Sequence, residues 1–155
     1  MLGARCIPYC DSYDEYRRTL NALEWDIGLA PMPDTPFHAC KHYNKFVEYA
    51  AAGVVGVFSD VEPYARLKSR GSPGLYCKNR SEEWEDAIEE LIDNNVMRAD
   101  CRKEACSFLA CEMSVAQSAT AFEPLLHHID YTRDKISIFI IVLGKILNIV
   151  LLIRS

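Results

Sequence analysis

The chain has 155 residues, with 17 Lys and Arg against 22 Asp and Glu, a net charge of -5 and 50% hydrophobic residues. That length suits one domain with a core large enough to fold, and charged, Gly and Pro contents near globular averages exclude disordered, collagen-like, low-complexity and coiled-coil classes. A negative charge without a Lys/Arg cluster argues against nucleic acid as a partner, because such binding draws most of its affinity from phosphate neutralisation.

Along the chain, Ser12 stands three residues before Glu15 in a capping-box pattern, and Tyr13, Tyr16, Leu20 and Leu23 follow at helical spacing, which predicts a helix of about three turns. Asp26 to Ala30 is a short apolar run stopped by Pro31 and Pro33, and reads as a buried strand with a loop at its carboxyl end. Pro36 and Phe37 place His38 in that loop, so His38 and His42 do not read as a metal-binding pair on one helix face. Tyr43 to Ala52 carries Phe46, Tyr49 and Ala50 at helical spacing and stops at Gly53, a natural residue just past a helix end. Val54 to Phe58 is β-branched and apolar on both faces, as in a parallel sheet covered on both sides. Ser59 and Asp60 close that strand and are placed to cap a short helix, Val61 to Leu67.

Arg70 to Pro73 is turn-rich, and Gly74 to Cys77 reads as a third, short strand. Ser81 as a cap, Glu82 and Glu83 in the first turn, and Trp84, Ile88, Leu91 and Ile92 on one face predict the strongest helix of the chain. Met97, Cys101, Ala105, Phe108 and Leu109 line a further helix, and Ser114, three before Gln117, opens another carrying Val115, Ala119, Phe122 and Leu126, kinked at Pro124. Strand and helix alternate, which predicts an α/β fold with a parallel sheet, and ligands are expected beyond the carboxyl ends of its strands.

The cysteines, Cys6, Cys10, Cys40, Cys77, Cys101, Cys106 and Cys111, are seven, an odd number with no C-x-x-C pair, and read as free thiols. With no charged-then-apolar leader at Met1, a reducing cytoplasm is the expected location. The loop from Pro31 to Lys41 is the richest in usable groups. Asp34, Thr35, His38, Cys40, Lys41 and Lys45 gather around a helix N-terminus, where amide groups and the positive dipole end suit an anion. Lys41 and Lys45 are four apart and so are expected to share a helix face, and Glu48, three beyond Lys45, can accept from hydroxyls of the same ligand, as a phosphate with a sugar would require. The same residue types also fit a solvated salt-bridge face with no ligand at all.

The continuous text "WDIGLAPMPDTPFHACKHYNKFVEYAAAGVVGVFSDVEPY", with "GLYCKNRSEEWEDAIEELIDN" after it, resembles the donor-binding core of GT-B-type glycosyltransferases, the retaining, glycogen-synthase-like group often described as glycosyl transferases group 1; the likeness runs from about Cys6 to Leu126. The resemblance implies an incomplete Rossmann-like parallel sheet with flanking helices over residues 1–127, the second half of a GT-B C-terminal domain. It implies transfer of a hexose from a nucleoside-diphosphate sugar to an acceptor, in cell-envelope or surface polysaccharide synthesis. Glu48 matches the family glutamate expected on the nucleotide ribose, with Lys41, Lys45, Asp34 and Cys40 as further donor contacts. Cys40 stands where many members carry the first of two glutamates separated by seven residues, and His38 and His42 stand at the Asn and Ser of a subgroup with a Pro-Phe-Asn and Lys-Ser text. The family's opening strand–helix units and its N-terminal acceptor-binding domain have no counterpart in this text, so a truncated or split enzyme, inactive without a partner chain that supplies that domain, is the expectation. No metal or other cofactor is implied, since GT-B transfer meets the diphosphate with helix dipoles and side-chain cations.

Residues 128–155 form the last expected unit. Ile136 to Ile153 is almost wholly apolar, with Ser137, Gly144, Lys145 and Asn148 as exceptions, and the apolar gain of inserting it into a bilayer nearly cancels against Lys145 and Asn148. A helix there fits a membrane interface, a partner domain, or a span with Lys145 facing a partner. The first option puts the protein at the inner face of the cell membrane. A non-catalytic remnant, docked to membrane or partner through this helix, is the alternative to an enzyme.

Overall fold

The computed structural model describes residues 6–117 and 119–120. The chain divides after Ser118, and every element named here belongs to the first unit. The apolar run Ile136 to Ile153, the helix beyond Thr120 and the 128–155 unit lie outside the described residues.

The elements run α1 (Tyr13–Ala22), β1 (Ile27–Ala30), α2 (Pro36–Ala39), α3 (Asn44–Ala52), β2 (Val55–Ser59), α4 (Tyr64–Ser69), β3 (Leu75–Cys77), α5 (Ser81–Asp93) and α6 (Asn95–Glu112). The fold is α/β. Its three strands form one parallel sheet in the order β1-β2-β3, with Ile27 opposite Val55 and Val57 opposite Leu75. β2, central and apolar on both faces, is buried over all five residues, as its sequence requires of a strand covered on both sides.

Two clusters fill the two faces. Ala30 and Phe58 pack with Phe46, Tyr49 and Ala50 of α3, Tyr64 and Leu67 of α4, and Ala105 of α6. On the other side Val55, Val57 and Cys77 meet Ala87 and Leu91 of α5. Leu91 is 0% exposed, and burying one such side chain is worth about 1.5–3 kcal/mol. α5 lies over β2 and β3, so Leu29 on its side of β1 is left 46% exposed.

Several local expectations are met. The Ser12 hydroxyl accepts from the Glu15 amide at 3.2 Å, and Ser114 does the same for Gln117 at 3.2 Å. Gly53 ends α3 with φ +69, and the Val54 amide reaches back to the Tyr49 carbonyl at 2.8 Å. Others are corrected. His38 sits in the single-turn helix α2, because Thr35 caps it and Pro36 starts it. The helix placed at Val61 to Leu67 begins at Tyr64, and neither Ser59 nor Asp60 caps it: Ser59 turns to the β1 loop, and Asp60 accepts from Lys68 at 2.6 Å. Ser81 is the first residue of α5, with Arg80 at the cap position, and Ile92 is 60% exposed while Ala87 takes its place in the core. Asn94, unremarked in the sequence, caps α6 through the Met97 amide at 2.9 Å.

Candidate functional site

Three loops leave the carboxyl ends of the strands, and a buried hydroxyl ties them. Ser59, at the end of β2 and 0% exposed, accepts from the Met32 amide at 2.7 Å and donates to Asn79 Oδ1 at 2.7 Å. Asn79 in turn donates to the Met32 carbonyl oxygen at 2.9 Å. The closed ring of bonds holds the start of the Pro31–Lys41 loop against the segment after β3, so the platform ahead of α3 has a defined shape. This brace is carried by residues 20 to 47 positions apart, a separation that no local pattern announces; only a lone Ser closing an all-apolar strand hints at it.

α3 rises from that platform. No side chain caps its first turn, since Tyr43 holds the cap position and the Asn44 amide oxygen is taken by His42 at 2.7 Å. Farther along the helix Lys45 donates to Glu48 Oε2 at 2.7 Å, and Tyr16 of α1 donates to the same oxygen at 2.8 Å while accepting from Lys45 at 3.1 Å. Glu48 Oε1 has no hydrogen-bond partner among the described residues, and the side chain is 23% exposed. Burial alone pulls the Lys45 ammonium down, but its hydrogen bonds to Glu48 and Tyr16 outweigh this and hold it above its ordinary value of 10.5. Burial raises the Tyr16 phenol, with the Lys45 bond working against it. Lys45 is therefore a fixed positive charge, and its partner Glu48 has Oε2 bonded twice and Oε1 without a partner among the described residues.

The remaining residues singled out in the sequence stand apart from that pair. Lys41 follows α2 outside α3, so the two lysines do not share a helix face; its ammonium lies 5.1 Å from the centre of the Phe37 ring. Asp34 is exposed in the loop, and Cys40 ends α2 exposed to solvent. No hydrogen bond or ion pair joins Asp34, Cys40 or Lys41 to Lys45 or Glu48 among the described residues. His38 Nδ1 pairs with Thr35 Oγ1 at 2.7 Å. Among the described residues no group of three or more His, Cys, Asp and Glu is placed to hold a metal ion, and no helix is long and apolar enough to cross a membrane.

Tyr16 was missed as a site residue because its spacing marks it only as one of a helix's apolar-face positions, 32 residues from its partner. A cavity of about 490 Å³ opens elsewhere, at the amino end of β3, where Leu75, Met97 and Cys101 meet Asn94, Asp100 and Glu104. Its lining holds carboxylates and no Lys, Arg or His, so a diphosphate would meet like charge there without a counter-ion. Comparison with known proteins adds no neighbour: no family model, no curated protein and no solved structure matches the chain.

Proposed function

We propose that the chain is the donor-binding part of a GT-B-type glycosyltransferase, with a Rossmann-like sheet, and that it binds a nucleoside-diphosphate sugar beyond the carboxyl ends of its strands. The observation that carries this reading is the Glu48 carboxylate: held on a helix by two donors on Oε2, it keeps Oε1, with its two lone pairs, without a partner among the described residues at a half-buried position, an acceptor for sugar hydroxyls. The parallel sheet supports it, because ligands of such folds lie at this end. Lys45 supplies the cation nearest the carboxylate. Lys41, Asp34 and Cys40 border the route from the β1 loop toward α3 and are the proposed contacts for diphosphate and sugar. Hexose transfer to an acceptor, in envelope or surface polysaccharide synthesis, calls for a second domain across the cleft, which a partner chain would supply. Ile136 to Ile153 is the proposed contact with the inner face of the membrane. No metal enters the proposal, since the diphosphate charge is left to backbone dipoles and lysines.

Calorimetric titration of the chain with UDP and GDP tests the reading. Saturable binding is expected, weakened about tenfold or more in Glu48→Ala, the loss of hydrogen bonds to a charged group. Absence of heat with both nucleotides in the wild-type protein sinks the donor site. Liposome flotation of the chain with and without residues 136–155 tests the membrane contact, and unchanged flotation removes it.

A further inference from the structure

We propose, resting on the nucleotide-sugar reading, that Tyr16 is a positioning residue: its phenol, with Lys45, immobilises Glu48 so that the carboxylate discriminates a ribose diol from a deoxyribose. Tyr16, Lys45 and Glu48 form a closed triangle in which each group bonds the other two, at 2.8, 2.7 and 3.1 Å. Turning the Glu48 side chain away from this geometry breaks two charge-assisted bonds at once, so one rotamer dominates. Both donors converge on Oε2, which leaves Oε1 as the acceptor without a partner among the described residues. A mobile, half-exposed glutamate would lose rotamer freedom on binding a diol, whereas this one has lost it beforehand.

The fold gives Tyr16 little else to do. α1 buries no residue fully, and the Tyr16 ring packs no core cluster; it lies 5.7 Å from the Lys45 ammonium and 6.4 Å from the Tyr13 ring. The contact spans 32 residues of sequence to deliver one hydroxyl to one carboxylate oxygen.

The test uses the full chain, with UDP and GDP and their 2′-deoxy counterparts as probes in calorimetry. Wild type is expected to prefer the ribonucleotide, and Tyr16→Phe, which keeps the ring and deletes the donor, is expected to weaken it about tenfold while changing 2′-deoxy binding less than about twofold. Equal weakening of both probes, unchanged binding, or tighter ribonucleotide binding in Tyr16→Phe overturns the proposal, the last by marking Tyr16 as a competitor for Glu48. A Tyr16→Phe chain that fails to fold by circular dichroism also overturns it, because Tyr16 would then be a structural residue. These outcomes separate from failure of the underlying reading, in which wild type binds none of the four probes and both proposals fall together.

Discussion

The Tyr49 hydroxyl donates to the carbonyl oxygen of Leu29 at 2.8 Å, on the edge of β1 that faces away from β2. The Asp26 carbonyl takes the Val55 amide at 3.0 Å, so the alternation of a parallel ladder turns the Leu29 carbonyl outward, where a helix side chain satisfies it. Burial pushes the Tyr49 phenol, and that of Tyr76, from 10.0 up to about 12. A folded state that keeps these protons after the unfolded chain has released its own is fully stabilised below pH 10 and loses stability between pH 10 and about 12, at ~1.4 kcal/mol per pH unit per group. Tyr49→Phe is expected to cost about 1–2 kcal/mol at neutral pH and to flatten the alkaline decline. Urea titrations of both proteins from pH 7 to 12 check it, and parallel alkaline curves refute it.

Ser59→Ala removes the hydroxyl that joins Met32 to Asn79 in a fully buried position. The Met32 amide is left without its acceptor, and a loss of about 1–3 kcal/mol follows. Asn79→Ala removes a more exposed partner and is expected to cost less. Thermal melts of the two variants give the order, and Asn79→Ala falling further than Ser59→Ala would contradict it.

Two glycines of the sheet are required by neighbouring rings. A Cβ on Gly28 would lie 2.7 Å from the Tyr49 ring, and one on Gly56 would collide with the Phe58 ring. Gly56 also lies in the strand buried on both faces, with a ring that itself packs against Phe46, Tyr64 and Tyr76. Gly56→Ala is therefore expected to cost about 1–3 kcal/mol or more by overpacking, and Gly71→Ser, where nothing lies within 4 Å, only the strain of a left-handed backbone, about 1 kcal/mol. Denaturant midpoints that rank Gly71→Ser below Gly56→Ala would argue against this packing.

The thiols divide by environment. Cys6, Cys40, Cys106 and Cys111 are exposed, whereas Cys77 is buried and Cys101 half-buried, and burial raises the thiol pKa of both. Iodoacetamide labelling of the native chain at pH 8, read by peptide mass spectrometry, is expected to mark the four exposed positions well before Cys77 and Cys101. Early labelling of Cys77 would mean that the sheet opens on the same timescale as the reaction.

Local chemistry was legible where a single segment contains both partners of an interaction. The Ser12 cap lies three residues from its amide, Gly53 supplies its own left-handed turn, and the unbroken apolar run of β2 implies burial on both faces, so these positions were readable from residue types alone. The alternation of strands and helices gave the parallel sheet in the same way. Errors gathered where a polar side chain had two candidate partners. Ser59 and Asp60 fit a helix cap by sequence, yet each found a partner elsewhere, at Met32 and at Lys68, that the next helix could not match.

The amino-acid order by itself determined the α/β pattern, the Ser12 and Ser114 caps and the pairing of Lys45 with Glu48 three residues on, because these depend on the fixed periods of helix and strand. Tertiary structure decided which side chains converge: that Lys41 leaves the face of Lys45, that Ser59 and Asn79 lock the carboxyl ends of the strands, and that a phenol from α1 claims one oxygen of Glu48. Spacing along a chain constrains neighbours within a turn or two, whereas contacts across 20 or more residues exist only after the sheet and its helices have packed.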